Sequence, residues 1–215
     1  MLKPGQIIVY NNIKGGWFSA LQRFFTRMNF THASIGFPPI AGQSAVIEAK
    51  NVITITPFDR TRLGGNVEYW IFSVDGLVDV FTKQIVESVY MQYAGKQYGY
   101  LQLIYFVRRY IWETRWVKFL FGWLPELLDK PKDVRRWNNW FVSGTICSEL
   151  VWVYLNMLSR AAYINNREGL IAKLSGWNSN NFHAGDVYNL CTSVPGITLI
   201  KKRTLENGVL ITKFY

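Results

Sequence analysis

The sequence predicts an α+β fold, a small antiparallel sheet packed on helices, in a single domain spanning residues 1–215. Three observations predict it. Strand-like segments separated by turn residues occupy residues 6–74, helical periodicity follows from residue 77 onward, and two further strand-like segments close the chain at residues 197–214. Strands first and helices afterwards argue against a doubly wound parallel sheet. The length of 215 residues suits one large domain or one domain with an insertion. Apolar residues at 49% against 18% charged residues exclude a disordered chain.

Each element has a local reason. Lys3-Pro4-Gly5 is a turn that feeds a strand at residues 6–10. Gly15-Gly16 opens a helix-like segment at residues 17–28, with Trp17, Leu21, Phe24, Phe25 and Met28 at helical spacing. Residues 31–37 read as a strand broken by Pro38-Pro39. Gly42-Gln43-Ser44 turns the chain into a strand at 45–50, and residues 51–56 stay extended until Pro57. A further strand covers 66–74, set off by Gly64-Gly65. Residues 77–93 carry the helical period and stop near Gly95, and 145–158 form a strongly apolar helix. A short helix at 167–174 and a Gly/Asn/Ser loop at 175–181 precede strands at 197–202 and 208–214, joined as a hairpin around Glu206-Asn207-Gly208. No internal repeat is visible.

Two Cys and two His limit the chemistry. They exclude a disulfide scaffold and a zinc ribbon or finger. Thiol–imidazole chemistry has only Cys147 or Cys191 to combine with His32 or His183. Cys147 stands in Gly144-Thr145-Ile146-Cys147-Ser148-Glu149-Leu150, where Gly144 breaks the preceding segment and Thr145 is a plausible N-cap. That position is the first turn of a helix, where backbone N–H groups and the dipole favour a thiolate and an attacked carbonyl's oxyanion. The competing reading is a small core hydrophobe. His32 shares a strand face with Ser34 and Gly36, while Ala33, Ile35 and Phe37 make the core face. It starts its strand and faces away from the core, either toward a neighbouring element or toward solvent. Glu48 is an acid within the apolar run Ala45–Ala49 and needs a partner unless it faces solvent. An imidazole on the adjacent strand would serve, with Glu48 accepting Nδ1–H of His32. Cys191 reads as structural, His183 as a loop residue, and Asp186 as a weaker acid candidate.

These segments, in this order, resemble the circularly permuted branch of the NlpC-type papain-like superfamily, the YiiX-like and YebB-like proteins. Lys3-Pro4-Gly5-Gln6-Ile7-Ile8 resembles that branch's Pro-Gly-Asp-Ile opening, with Gln6 in place of Asp. Val46-Ile47-Glu48-Ala49 resembles its second-strand motif, and Gly95-Lys96-Gln97-Tyr98 its Gly-x-x-Tyr segment. Ala184-Gly185-Asp186-Val187-Tyr188 is similar to its closing Pro-x-Asp-Leu segment without the proline. The resemblance covers roughly residues 1–100 and 140–190. It implies a permuted papain-like fold, with Cys147 as nucleophile, His32 as base and Glu48 as the polar third member. Tyr98 and Ser148 would line the site and assist the oxyanion. The implied activity is a thiol hydrolase, a peptidase or amidase, cleaving an amide through an acyl-enzyme, with cell-wall peptide (peptidoglycan) the first candidate. No metal and no organic cofactor is implied. A lipid acyltransferase or lipid hydrolase with the same residues, and a non-catalytic binding or assembly module, are the alternatives.

Part of the net charge of +10, and much of the aromatic excess, gathers in one segment. Residues 98–141, read as an aromatic-rich helical insertion, hold 13 aromatics, eight Arg or Lys and four Asp or Glu. They read either as a helical hairpin packed on the core or as an interfacial element for an anionic membrane or cell-wall surface. Nucleic acid ranks last, because no recognised module accompanies the charge. The opening MLKPGQIIVY lacks a signal-peptide pattern, and no spanning helix is expected, since the longest stretch without Asp, Glu, Lys or Arg, residues 28–47, is interrupted by Pro38-Pro39 and reads as strands and a turn. The expectation is a cytoplasmic protein, with peripheral membrane or virion association left open.

Overall fold

The computed structural model describes residues 1–13, 20, 23–24, 28–49, 51–58, 67–75, 79–97, 147–160, 167–175, 182–206 and 209–215. The expected insertion at 98–141 lies outside them, as do Thr145, Tyr98 and most of the helix expected at 17–28.

The described residues form an α+β fold of seven strands and four helices. The strands are β1 (Ile7–Asn12), β2 (His32–Ile40), β3 (Gln43–Ala49), β4 (Ile53–Pro57), β5 (Val67–Val74), β6 (Ile197–Glu206) and β7 (Val209–Phe214). The helices are α1 (Asp79–Tyr93), α2 (Cys147–Ser159), α3 (Arg167–Ser175) and α4 (Ala184–Ser193). All seven strands join one antiparallel sheet in the order β4-β3-β2-β1-β5-β6-β7. The C-terminal hairpin therefore extends the N-terminal sheet through the β5–β6 pairing.

β1 sits in the middle, between β2 and β5, and is covered on both faces. This explains why Ile7-Ile8-Val9-Tyr10 is a continuous apolar run and not an alternating one. Ile7 and Val9 enter the main core with Ala33, Ile35, Ile47 and Phe72. Ile8 and Tyr10 enter a second cluster on the other face with Val46, Val67, Tyr69 and Ile71. Helix α2 packs on the main-core face along β2. Its Leu150, Val151, Tyr154, Leu155 and Leu158 are fully buried, the stripe that a 3.6-residue period lays on one side. The Tyr154 hydroxyl donates to the Gly5 carbonyl at 2.9 Å, which ties α2 to the turn before β1.

Two expectations need correction. Pro38-Pro39 do not end β2, which runs on to Ile40. The ladder shifts register between Phe37 and Ile40, and at such an irregularity the missing proline N–H breaks no ladder bond. The turn then falls at Ala41-Gly42, both at positive φ (49° and 76°), as a two-residue hairpin loop between paired Ile40 and Gln43 requires. Residues 184–193, to which the sequence assigned no element, are helix α4. His183 is its N-cap and not a loop residue, and Cys191 lies within the helix.

Candidate functional site

Cys147 is the first residue of α2, and His32 is the first residue of β2. Because α2 lies along β2, these two beginnings come together at one end of the sheet, and the thiol and imidazole are in hydrogen-bond contact. Cys147 is buried, whereas the His32 side chain keeps 24% of its surface exposed. The pair is thus sheltered but reachable.

Glu48 reaches His32 from β3. The register sets Ile35 opposite Ile47, so Ser34 and Glu48 share the face that carries His32. Glu48 Oε2 lies 3.4 Å from His32 Nε2. That is an ion-pair separation: Nε2 is buried and makes no well-aligned hydrogen bond among the described residues. Glu48 therefore faces Nε2 and not Nδ1 as the sequence reading supposed, which leaves Nδ1 as the nitrogen available to the thiol. The Thr56 hydroxyl donates to Glu48 Oε1.

The electrostatics of His32 are a contest. Burial, the largest single influence, disfavours its charged form. The negative charge and hydrogen bond of Cys147, followed by the Glu48 carboxylate, outweigh that and push the imidazole up from 6.5 to about 10. On its other side the ring packs against Tyr10, with centroids 5.5 Å apart. Tyr10 and Ser34 share a hydrogen bond of 2.7 Å, and burial holds the Tyr10 phenol well above its ordinary value, hence neutral.

The remaining candidates fall elsewhere. Ser148 is buried, and its hydroxyl donates to the Phe182 carbonyl. That side chain anchors α2 to the segment entering α4; it does not line the site as expected. Tyr98 lies outside the described residues. Cys191 is a free thiol in the core, pushed up by burial, in agreement with a structural role. His183 and Asp186 pair with each other: Asp186 N–H donates to His183 Nδ1 at 3.2 Å, and His183 N–H donates to Asp186 Oδ2 at 3.1 Å. This is a capping box in which imidazole replaces the usual hydroxyl, so the rule that looks for Ser, Thr, Asp or Asn passes over it. His183→Ala is expected to destabilise the fold by about 1 kcal/mol, as losses of N-caps do, visible as a lower urea midpoint.

Sequence reasoning missed Tyr10 and Thr56. The signal for Thr56 was present, since Thr54 and Thr56 alternate with Ile53 and Ile55, but the β3–β4 register was needed to set Thr56 beside Glu48. Among the described residues no group of three or more His, Cys, Asp or Glu could hold a metal ion. Among them also, no helix is long and apolar enough to cross a membrane.

No family model and no curated protein matches the chain. Among solved structures, the fold is similar to the crystal structure of metalloprotein yiiX from Escherichia coli O157:H7, with 18% sequence identity and a TM-score of 0.51. The match covers 93% of this chain and 96% of that one. The chain therefore has a YiiX-like fold.

Proposed function

We propose that this chain is a cysteine hydrolase of amide bonds with a permuted papain-like fold, in which Cys147 is the nucleophile, His32 the base and Glu48 the polar third member. The observation that carries the reading is the position of His32, in contact with Cys147 on one side and with Glu48 on the other. In this reading His32 takes the thiol proton through Nδ1 and the pair rests as thiolate and imidazolium. The sulfur attacks the carbonyl carbon, and N–H groups at the start of α2 meet the oxyanion. The imidazolium gives its proton to the leaving amine, and the acyl group stays on sulfur. A water then loses a proton to His32 and attacks the thioester, releasing the acid and restoring the thiolate–imidazolium pair. Glu48 stabilises the charged ring throughout.

The word metalloprotein belongs to the structural neighbour. Cell-wall peptide is the first candidate substrate, with other peptides, isopeptides and lipid esters or amides after it. The aromatic and basic residues 98–141 are proposed to meet an anionic wall or membrane surface, on their composition alone.

Incubation with a panel of peptidoglycan fragments, peptides and lipids, followed by intact-mass spectrometry, tests the reading. An adduct on Cys147 that is absent in Cys147→Ala is the expected result. If no member of the panel modifies Cys147 or is cleaved, the hydrolase reading fails.

A further inference from the structure

We infer that Thr56 is a positioning residue for the Cys147–His32 pair, acting through the carboxylate of Glu48; the inference rests on the hydrolase reading above. Thr56 lies on β4, the outermost strand at one side of the sheet. The register pairs Glu48 with Thr54, so Thr56 is the next residue on the same face and sits diagonally beside Glu48. Its hydroxyl donates to Oε1, while Oε2 points at His32 Nε2 from 3.4 Å. The two carboxylate oxygens thus have different neighbours.

This division matters because the last torsion of a glutamate is broad and does not by itself fix where the oxygens point. Threonine is β-branched and stiff, so a hydroxyl bonded to Oε1 holds the carboxyl plane. The buried Nε2 has no aligned hydrogen bond to lock the geometry from its own side, whereas the Thr56 hydroxyl bonds the carboxylate directly. A hydrogen bond donated to a largely buried carboxylate also favours its ionised form. Among the described residues, the groups that face His32 are Cys147 from α2, Tyr10 from β1 and Glu48 from β3. Tyr10 is neutral, so on the sheet side Glu48 supplies the negative charge. A carboxylate that turns away or takes a proton leaves the imidazolium, among the described residues, with the thiolate alone.

Thr56→Val keeps shape and strand preference and removes the donor; Thr56→Ser keeps the donor. The readouts are the NMR titration of the His32 imidazole and the rate of Cys147 alkylation by iodoacetamide against pH, with peptide mapping to separate Cys147 from buried Cys191. In Thr56→Val the loss of the imidazolium is expected to move down by about one pH unit, a tenfold change in proton affinity. Thr56→Ser is expected to titrate as the wild type. Should Thr56→Val not fold, Thr56→Ala is read in the same way. Glu48→Gln, run in parallel, separates the two levels of the argument. If Glu48→Gln shifts the titration and Thr56→Val does not, or if Thr56→Ser shifts it as valine does, the role of Thr56 is overturned. If Glu48→Gln also titrates as the wild type, the triad reading itself fails.

Discussion

In Cys147→Ala the His32 imidazole is expected to fall from about 10 toward its ordinary 6.5, and hydrolysis is expected to stop. Three influences set the wild-type value. Burial lowers it and is the largest, Cys147 raises it by charge and hydrogen bond, and Glu48 raises it after that. Alanine removes the second and leaves burial opposed by Glu48 alone. Activity should drop on the order of 10⁴-fold or more, the scale seen when a member of a catalytic unit is removed. Heteronuclear NMR of the imidazole ring reads the first effect without a substrate. An imidazole that still titrates near 10 without the thiol would mean that Glu48 alone holds its proton, and the thiolate–imidazolium pair would have to be abandoned.

The same shift fixes a pH dependence of stability. The folded-state value of His32 lies above the unfolded one, so the protonated ring stabilises the fold. That contribution is fully present below about 6.5, declines as pH rises, and is gone above about 10. Wild type should therefore lose urea resistance between these limits, and Cys147→Ala should lose less over the same range. The thiol and imidazole titrate together, so the steps observed belong to the pair.

The three residues of this site were legible in the sequence because each breaks a local pattern. Glu48 is an acid in an apolar strand, Cys147 begins an apolar helix, and His32 alternates away from the core face of its strand. Their meeting could be argued from strand order, since β2 and β3 are consecutive and joined by a tight turn. The nitrogen that faces Glu48 could not, because it depends on the ring's rotamer and on the diagonal between His32 and Glu48. Thr56 and Tyr10 were hidden for a related reason. Threonine in a strand and tyrosine in a buried strand are ordinary residues, and only register shows that one meets a carboxylate and the other an imidazole. Helix α4 was missed because its cap uses His183 and its first turn holds Gly185, a residue that lowers any helical reading. Gly185 is there because a side chain would strike Met28: a Cβ would lie 2.0 Å from its sulfur. That is a tertiary reason that a local pattern does not carry.

Gly5→Ala should be among the most destabilising single substitutions in the chain, and it should act at the middle of β2, around Gly36. Gly5 has φ +78°, a conformation that costs an alanine about 1–2 kcal/mol. An added Cβ would also lie 2.2 Å from Thr82 Cγ2 and 2.4 Å from the Tyr154 hydroxyl oxygen. Relieving such overpacking costs about 1–3 kcal/mol more. The contacts at risk form one knot. Gly5 N–H donates to the Gly36 carbonyl at 2.8 Å, Gly36 N–H donates to the Gln6 carbonyl at 2.7 Å, and Tyr154 bonds the Gly5 carbonyl. Together the change should cost about 2–5 kcal/mol, a large share of the stability of a typical domain. Urea unfolding should show the midpoint falling with little change in slope. In the Tyr154→Phe background the same glycine substitution should cost less, since one of the two clashing atoms is gone, while the backbone cost remains. An equal loss in both backgrounds would show that φ and the Thr82 contact, and not the packing of Tyr154 on the first turn, make glycine necessary there.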